Sequence, residues 1–107
     1  MSQARIDQLN KFLEQNPSDS FVLYALATEY ANAGDDETAL SYYRKILDGD
    51  PDYTGTYYHL GKLYQRRNQN ERAEEIYREG LKRTFGKDQH ANRELQEALN
   101  QLLYDEE

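Results

Sequence analysis

Residues 23–30 read Leu23-Tyr24-Ala25-Leu26-Ala27-Thr28-Glu29-Tyr30, and residues 57–64 read Tyr57-Tyr58-His59-Leu60-Gly61-Lys62-Leu63-Tyr64. The two octets lie 34 residues apart and share Tyr24/Tyr58, Leu26/Leu60 and Tyr30/Tyr64. The same offset downstream pairs Glu37/Glu71, Ala39/Ala73, Tyr43/Tyr77, Arg44/Arg78 and Leu47/Leu81, which makes eight identities over 34 aligned positions. Unrelated segments of ordinary composition would share about two. Pro17 and Pro51 keep the spacing, and Leu13 and Leu9 extend it backwards towards Leu47 and Tyr43. A period of this length marks stacked supersecondary units, none of which can bury its apolar face alone.

Each unit reads as a helical hairpin. Leu23, Leu26, Ala27 and Tyr30 recur at i, i+3, i+4 and i+7, one face of a helix. Ser18 or Ser20 is expected to cap it, Gly34-Asp35-Asp36 breaks the pattern, and Asp36 is expected to cap a second helix striped by Ala39, Leu40, Tyr43, Ile46 and Leu47. Gly49, as a left-handed cap, and Pro51 are expected to stop it. The second unit repeats the plan with Tyr57, Leu60, Gly61 and Tyr64, the turn Asn68-Gln69-Asn70, then Ala73, Ile76, Tyr77 and Leu81. A first helix carries Ile6, Leu9, Phe12 and Leu13, and a last one Ala91, Leu95, Ala98, Leu99 and Leu102. No alternating run suggests a strand. The expectation is an all-α solenoid of antiparallel helical hairpins in one domain, 1–107. It comprises a half-repeat helix (3–17), repeat one (20–53), repeat two (54–87), a capping helix (88–103) and an acidic tail (104–107).

These residues resemble the tetratricopeptide repeat (TPR) family. Its signature, W-x2-L-G-x2-Y then A-x3-F then P, is met by Tyr57-x2-Leu60-Gly61-x2-Tyr64 and Ala73-x3-Tyr77. It is met again by Leu23-x2-Leu26-Ala27-x2-Tyr30, Ala39-x3-Tyr43 and Pro51. Phe85 stands where the second Pro is expected, and Leu95 and Leu99 follow Leu60 and Tyr64 by 35 residues, so one residue enters near Gly86-Lys87. The resemblance implies a protein-binding module that is not an enzyme, with the first helix of each hairpin on a concave side.

Composition narrows the rest. A net charge of -7 disfavours phosphate backbones as partners, so nucleic acid is not expected. The absence of cysteine excludes disulfides and zinc–thiolate sites. His59 and His90 have no ligand-like spacing, so no metal and no cofactor is expected. No nucleophile–base pair or Gly-rich phosphate loop stands out. No stretch nears the roughly 20 apolar residues of a membrane span, and no apolar leader opens the chain, so the cytoplasm is the expected compartment and no membrane partner is expected.

At about 100° per residue, the side of the first helix away from its packing stripe carries Tyr24, Thr28, Ala31 and Asn32. The counterparts are Tyr58, Lys62, Gln65 and Arg66, with His59 beside them. Tyr24 and Tyr58 repeat although the packing signature does not demand them. The candidate partner-binding residues are therefore Tyr24, Thr28, Asn32, Tyr58, His59, Lys62, Gln65 and Arg66. Two cations beside tyrosine rings suit a protein or peptide segment that is acidic or ends in a carboxylate. The family's Lys-Asn carboxylate grip is not matched, since Tyr24 and Thr28 stand in its place. The alternative function is self-association, a homodimer formed through exposed repeat ends or exchange of the last helix.

Overall fold

A computed structural model describes residues 3–104. Six helices follow one another: α1 (Gln3–Gln15), α2 (Ser20–Asn32), α3 (Asp36–Gly49), α4 (Gly55–Arg66), α5 (Asn70–Thr84) and α6 (Gln89–Tyr104). Among the described residues there is no strand, in line with the expected all-α hairpin class. The expected tail residues Asp105, Glu106 and Glu107 lie outside the described residues, and Tyr104 belongs to α6. The chain forms two compact units, residues 1–53 with α1–α3 and residues 54–107 with α4–α6.

The turns within the two hairpins are the same turn, 34 residues apart. Gly34 closes α2 with φ 84°, and the Asp35 amide reaches back to the Tyr30 carbonyl at 2.9 Å. Asn68 does the same after α4 with φ 62°, and the Gln69 amide reaches Tyr64 at 2.8 Å. Both match the left-handed C-terminal cap that glycine, and next asparagine, adopts most easily.

Three capping expectations are corrected. Asp19, not Ser18 or Ser20, caps α2: its extended backbone lets the carboxylate accept from the Val22 amide at 3.1 Å. Ser20 is already helical and donates its hydroxyl to Asp50 Oδ2 at 2.9 Å. Asp35, not Asp36, caps α3 by accepting from the Thr38 amide and hydroxyl, while Asp36 sits in the first turn, where the helix dipole favours its charge. Gly49 is the last residue of α3 and has no left-handed φ; the chain leaves through Asp50 at φ −147°. Gly86, beside the inserted residue, is left-handed at φ 73°, as Gly34 is. Asp88 then caps α6 by accepting from the Ala91 amide at 3.1 Å.

In the first unit, Ile6 and Leu9 of α1 pack on Val22, Ala25 and Leu26 of α2, with Leu13, Tyr30 and Tyr42 against them. Helix α2 is thus buried along more of its circumference than the stripe Leu23, Leu26, Ala27 and Tyr30 suggests. Phe12, expected in the α1 stripe, is 53% exposed, because Ile6 and Leu9 already define the buried face. Arg5 ties α1 to Glu29 of α2 at 3.0 Å.

In the second unit, Ala73, Tyr77, Gly80 and Thr84 form the buried line of α5, whereas the expected Ile76 and Leu81 are half-buried. The Tyr77 ring lies where a Cβ on Gly61 would stand, and its hydroxyl donates to Gln65. A Cβ on Gly80 would come within 2.6 Å of Tyr57 Cβ and 2.8 Å of Leu95 Cδ1, so α5 meets α4 and α6 closely at this one residue. Thr84 donates its hydroxyl to the Gly80 carbonyl at 2.9 Å and accepts from Asn92 of α6 at 3.0 Å.

Leu26 and Leu60 are fully buried. Truncation of either to Ala is expected to lower stability by about 2–5 kcal/mol, through lost transfer energy and the cavity left behind. Chemical denaturation checks this. The Thr56 hydroxyl is buried without a hydrogen-bond partner. Thr56→Val keeps the shape and removes the orphaned group, so it is expected to stabilise by about 1 kcal/mol in the same measurement.

Candidate protein-binding surface

The face of α2 opposite its packing stripe carries Tyr24, Thr28 and Asn32. Tyr24 is half-buried, set edge-on to Tyr43 of α3 at 6.2 Å and tilted against Tyr53 at 5.7 Å between ring centroids. Thr28 turns its hydroxyl back to the Tyr24 carbonyl at 3.0 Å, and the Tyr43 hydroxyl lies 3.5 Å from it. Asn32 is exposed at the helix end. Tyr53 belongs to this surface although sequence reasoning did not select it; it lies in the α3–α4 connection, outside any helical stripe. Burial, together with the nearby Asp19 and Asp50 carboxylates, raises the pKa of its phenol.

The corresponding face of α4 carries Tyr58, His59, Lys62, Gln65 and Arg66. Lys62 places its ammonium over the Tyr58 ring, 5.5 Å from the centroid, within the range of a cation–π contact. His59 is exposed and stands edge-on to Tyr58 at 5.4 Å. Gln65 uses its side-chain oxygen to accept from Tyr77, so part of its hydrogen-bonding capacity holds α4 to α5. Arg66 is exposed in the last turn of α4, where a cation complements the helix dipole. The structure therefore brings Tyr58, His59 and Lys62 together and leaves Arg66 towards the end of the helix.

Helix α6 adds what the repeat pattern did not reveal. Glu94, Glu97, Ala98 and Gln101 line an open pocket of about 200 Å³ together with Tyr58 and Lys62. Glu94 also lies 3.4 Å from His90. This wall carries both signs of charge and is not the purely basic spot that Lys62 and Arg66 suggest. Neither glutamate is among the expected site residues, because α6 has no full repeat counterpart against which to read them. Among the described residues, no group of three or more His, Asp or Glu could hold a metal ion. No helix of the described residues is long and apolar enough to cross a membrane.

A tetratricopeptide repeat profile matches residues 30–102, and a second matches residues 9–41. This chain belongs to the tetratricopeptide repeat family. The crystal structure of a TPR domain protein from Salinibacter ruber is 37% identical, with TM-score 0.75 over 79% of this chain and 96% of that one. A protein from Bordetella parapertussis, solved in solution, is 28% identical, with TM-score 0.82 over 97% of this chain and 91% of its own. Photosystem I assembly protein Ycf3 of Acaryochloris marina is 38% identical over 66 residues, which are 60% of this chain and 40% of that protein. The chain thus spans less than half the length of that relative. TPR domains are in general non-enzymatic modules that bind proteins or peptides, which gives this chain a protein-interaction or scaffolding role.

His59 gives the surface a pH signature. Desolvation lowers its pKa below the ordinary value, and the Glu94 carboxylate opposes the shift. A histidine with a depressed folded pKa binds its proton more readily when unfolded. The contribution of this one side chain, kept small by its exposure to solvent, is therefore present in full above the unfolded value near ~6.5 and is lost as pH falls from there through the lower folded value. His59→Asn is expected to flatten that limb of a melting-temperature profile between about pH 7 and pH 5. An unchanged slope would show that His59 is already fully hydrated.

Proposed function

We propose that the chain is an adaptor that holds a protein or peptide segment on the exposed faces of α2 and α4. Tyr24, Thr28 and Asn32 serve on the first hairpin, and Tyr58, His59, Lys62, Gln65 and Arg66 on the second. One observation carries the reading: Tyr24 and Tyr58 recur at the same repeat position and are half-exposed, while the hairpin seams are filled by other residues. Flat, amphipathic rings of this kind make good anchors because they bury much area at little entropic cost. Lys62 and Arg66 would meet a carboxylate of the bound segment, side-chain or C-terminal. Glu94 and Glu97 temper that attraction, so the aromatic contacts supply most of the affinity and the charges a modest, salt-sensitive share. The cytoplasm is the proposed compartment. Neither nucleic acid nor a membrane is a proposed partner.

The alternative is self-association. Phe21 and Phe85 favour it, being 66% and 79% exposed. Light scattering separates the two readings: a monomer at working concentration supports the adaptor, and a tight dimer supports self-association.

The direct test is affinity capture from host lysate with the wild type and with a variant carrying alanine at Tyr24, Tyr58, Lys62 and Arg66. The variant is expected to retain its helical spectrum and to lose the captured protein. For that partner, Lys62→Ala with Arg66→Ala is expected to weaken binding and to shallow its dependence on salt. Undiminished capture by the fourfold variant would move the site off α2 and α4.

A further inference from the structure

Phe85 stands 34 residues after Pro51, at the end of a repeat, and its ring is 79% exposed. Its amide donates to the Leu81 carbonyl at 3.0 Å, a backbone bond that any residue but proline could make, so the hairpin does not need the ring. A lone exposed aromatic side chain is ordinary. This one borders a cavity of about 550 Å³, lined besides by Gly86, Gln89, Asn92, Arg93 and Gln96. Sites that hold ligands span roughly 300–1,000 Å³. Every lining residue belongs to the α5–α6 corner of the second unit, and none lies on α4.

The corner is fixed by its backbone. The Lys87 and Asp88 amides both donate to the Thr84 carbonyl at 2.9 Å, and Gly86 turns the chain at φ 73°, with open space where a Cβ would stand. Asn92 donates its side-chain amide to Thr84 Oγ1 at 3.0 Å and to the Leu81 carbonyl at 3.3 Å. Gln89, Asn92, Arg93 and Gln96 are spaced i, i+3, i+4 and i+7, so they share one face of α6. Glu94 and Glu97 belong to the other pocket, with Tyr58 and Lys62.

Charge is sorted in the same way. Residues 82–93 carry Lys82, Arg83, Lys87 and Arg93 against a single carboxylate, on a chain of net charge -7. That carboxylate, Asp88, is engaged: Oδ1 accepts from the Ala91 amide and Oδ2 from the Thr54 hydroxyl, each at 3.1 Å. Arg83 stands 3.7 Å from Glu79. Arg93 is exposed and forms no ion pair among the described residues. The cavity is thus lined by one aromatic ring, one guanidinium and three side-chain amides, with no carboxylate.

We infer that the cavity between Phe85 and α6 is a second docking site, for an acidic segment of a partner protein in which an aromatic or aliphatic residue lies next to carboxylates. The apolar residue rests on the Phe85 ring, a carboxylate takes the Arg93 guanidinium in a charge-assisted contact, and Gln89 offers hydrogen bonds to the segment's backbone. Lys82 and Lys87 add to the local positive potential, which steers a negatively charged segment to this corner of an otherwise acidic molecule. A concave site with amide side chains suits a peptide rather than a bilayer, which cannot enter it. The inference is independent of the proposed α2 and α4 faces and adds a second point of contact.

The test uses the full chain and two peptides, acetyl-Gly-Phe-Glu-Glu-Gly-amide and its uncharged counterpart acetyl-Gly-Phe-Gln-Gln-Gly-amide, followed by NMR of the phenylalanine rings and the arginine Nε–H groups. The acidic peptide is expected to shift Phe85 and Arg93 saturably, and the uncharged one several-fold more weakly. Raised salt should narrow the difference. Phe85→Ser should abolish saturation at Arg93 while the amide spectrum stays dispersed, since the ring it removes is exposed. Arg93→Gln should bring the acidic peptide down to the response of the uncharged one. The variant with alanine at Tyr24, Tyr58, Lys62 and Arg66 should bind the acidic peptide as the wild type does, which separates this site from the α2 and α4 faces. Equal responses to the two peptides, no saturable shift at Phe85 or Arg93, or saturation that survives Phe85→Ser would overturn the inference. So would Phe85 shifts that depend on protein concentration without peptide, which would give the cavity to a second copy. Sedimentation with phosphatidylserine vesicles that is lost in Phe85→Ser would give it to a membrane and overturn the inference equally.

Discussion

The contact of the Tyr77 ring with Gly61 sets how closely the two helices of the second hairpin approach. Glycine has no side chain to hold the ring away, so a large aromatic residue of α5 rests almost on the backbone of α4. A buried tyrosine must satisfy its hydroxyl, and Gln65, one turn further along α4, accepts it. Apolar contact and hydrogen bond thus act on the same pair of helices. The first hairpin uses the same device in a looser form. Tyr43 is buried on α3, Ala27 takes the place of glycine, and the tyrosine hydroxyl lies 3.5 Å from Thr28, at the limit of a hydrogen bond.

This packing divides each first helix into two faces, and the division gives the surface its chemistry. Residues on the seam of α4, such as Leu60 and Gly61, are fully enclosed. Residues turned away from that seam, such as Tyr58 and Lys62, are left half-exposed. The buried line Gly80–Thr84 then holds α6 against α5 through Leu95 and Asn92. That placement brings Glu94 and Glu97 to the same pocket as Lys62. The charge character of the second repeat's surface is thus set by a helix outside the full repeats.

Much of this fold was legible in the sequence because the period is long and the packing residues are large. Tyr43, Tyr77, Leu26 and Leu60 announce themselves by recurrence, and all are buried. What escaped was local and small. Ser18, Asp19 and Ser20 can all cap a helix, and only the backbone angle at Asp19 decides among them. Gly80 and Thr84 continue the spacing of Ala73 and Tyr77, yet neither looks apolar enough to be named as core. Phe12 was over-read for the opposite reason, since hydrophobic character alone does not place a side chain inside. For the candidate surface, the repeat offset singled out Tyr24 and Tyr58, and the outward helix face added Lys62. It was silent on Tyr53, Glu94 and Glu97, which become neighbours of those residues only through tertiary packing.

The dependence of the second hairpin on the Gly61–Tyr77 contact is open to a double-mutant cycle with Gly61→Ala and Tyr77→Leu, read by denaturant unfolding. Alone, Gly61→Ala forces a methyl group into the Tyr77 ring and is expected to cost about 1–3 kcal/mol, as overpacking does. With leucine at position 77 the ring is gone, and the same substitution should cost little or even stabilise, by up to about 1 kcal/mol, because alanine favours helix over glycine. A coupling energy of more than about 1 kcal/mol is the predicted result. An equal cost of Gly61→Ala in both backgrounds would mean that α4 and α5 are not set apart by this contact.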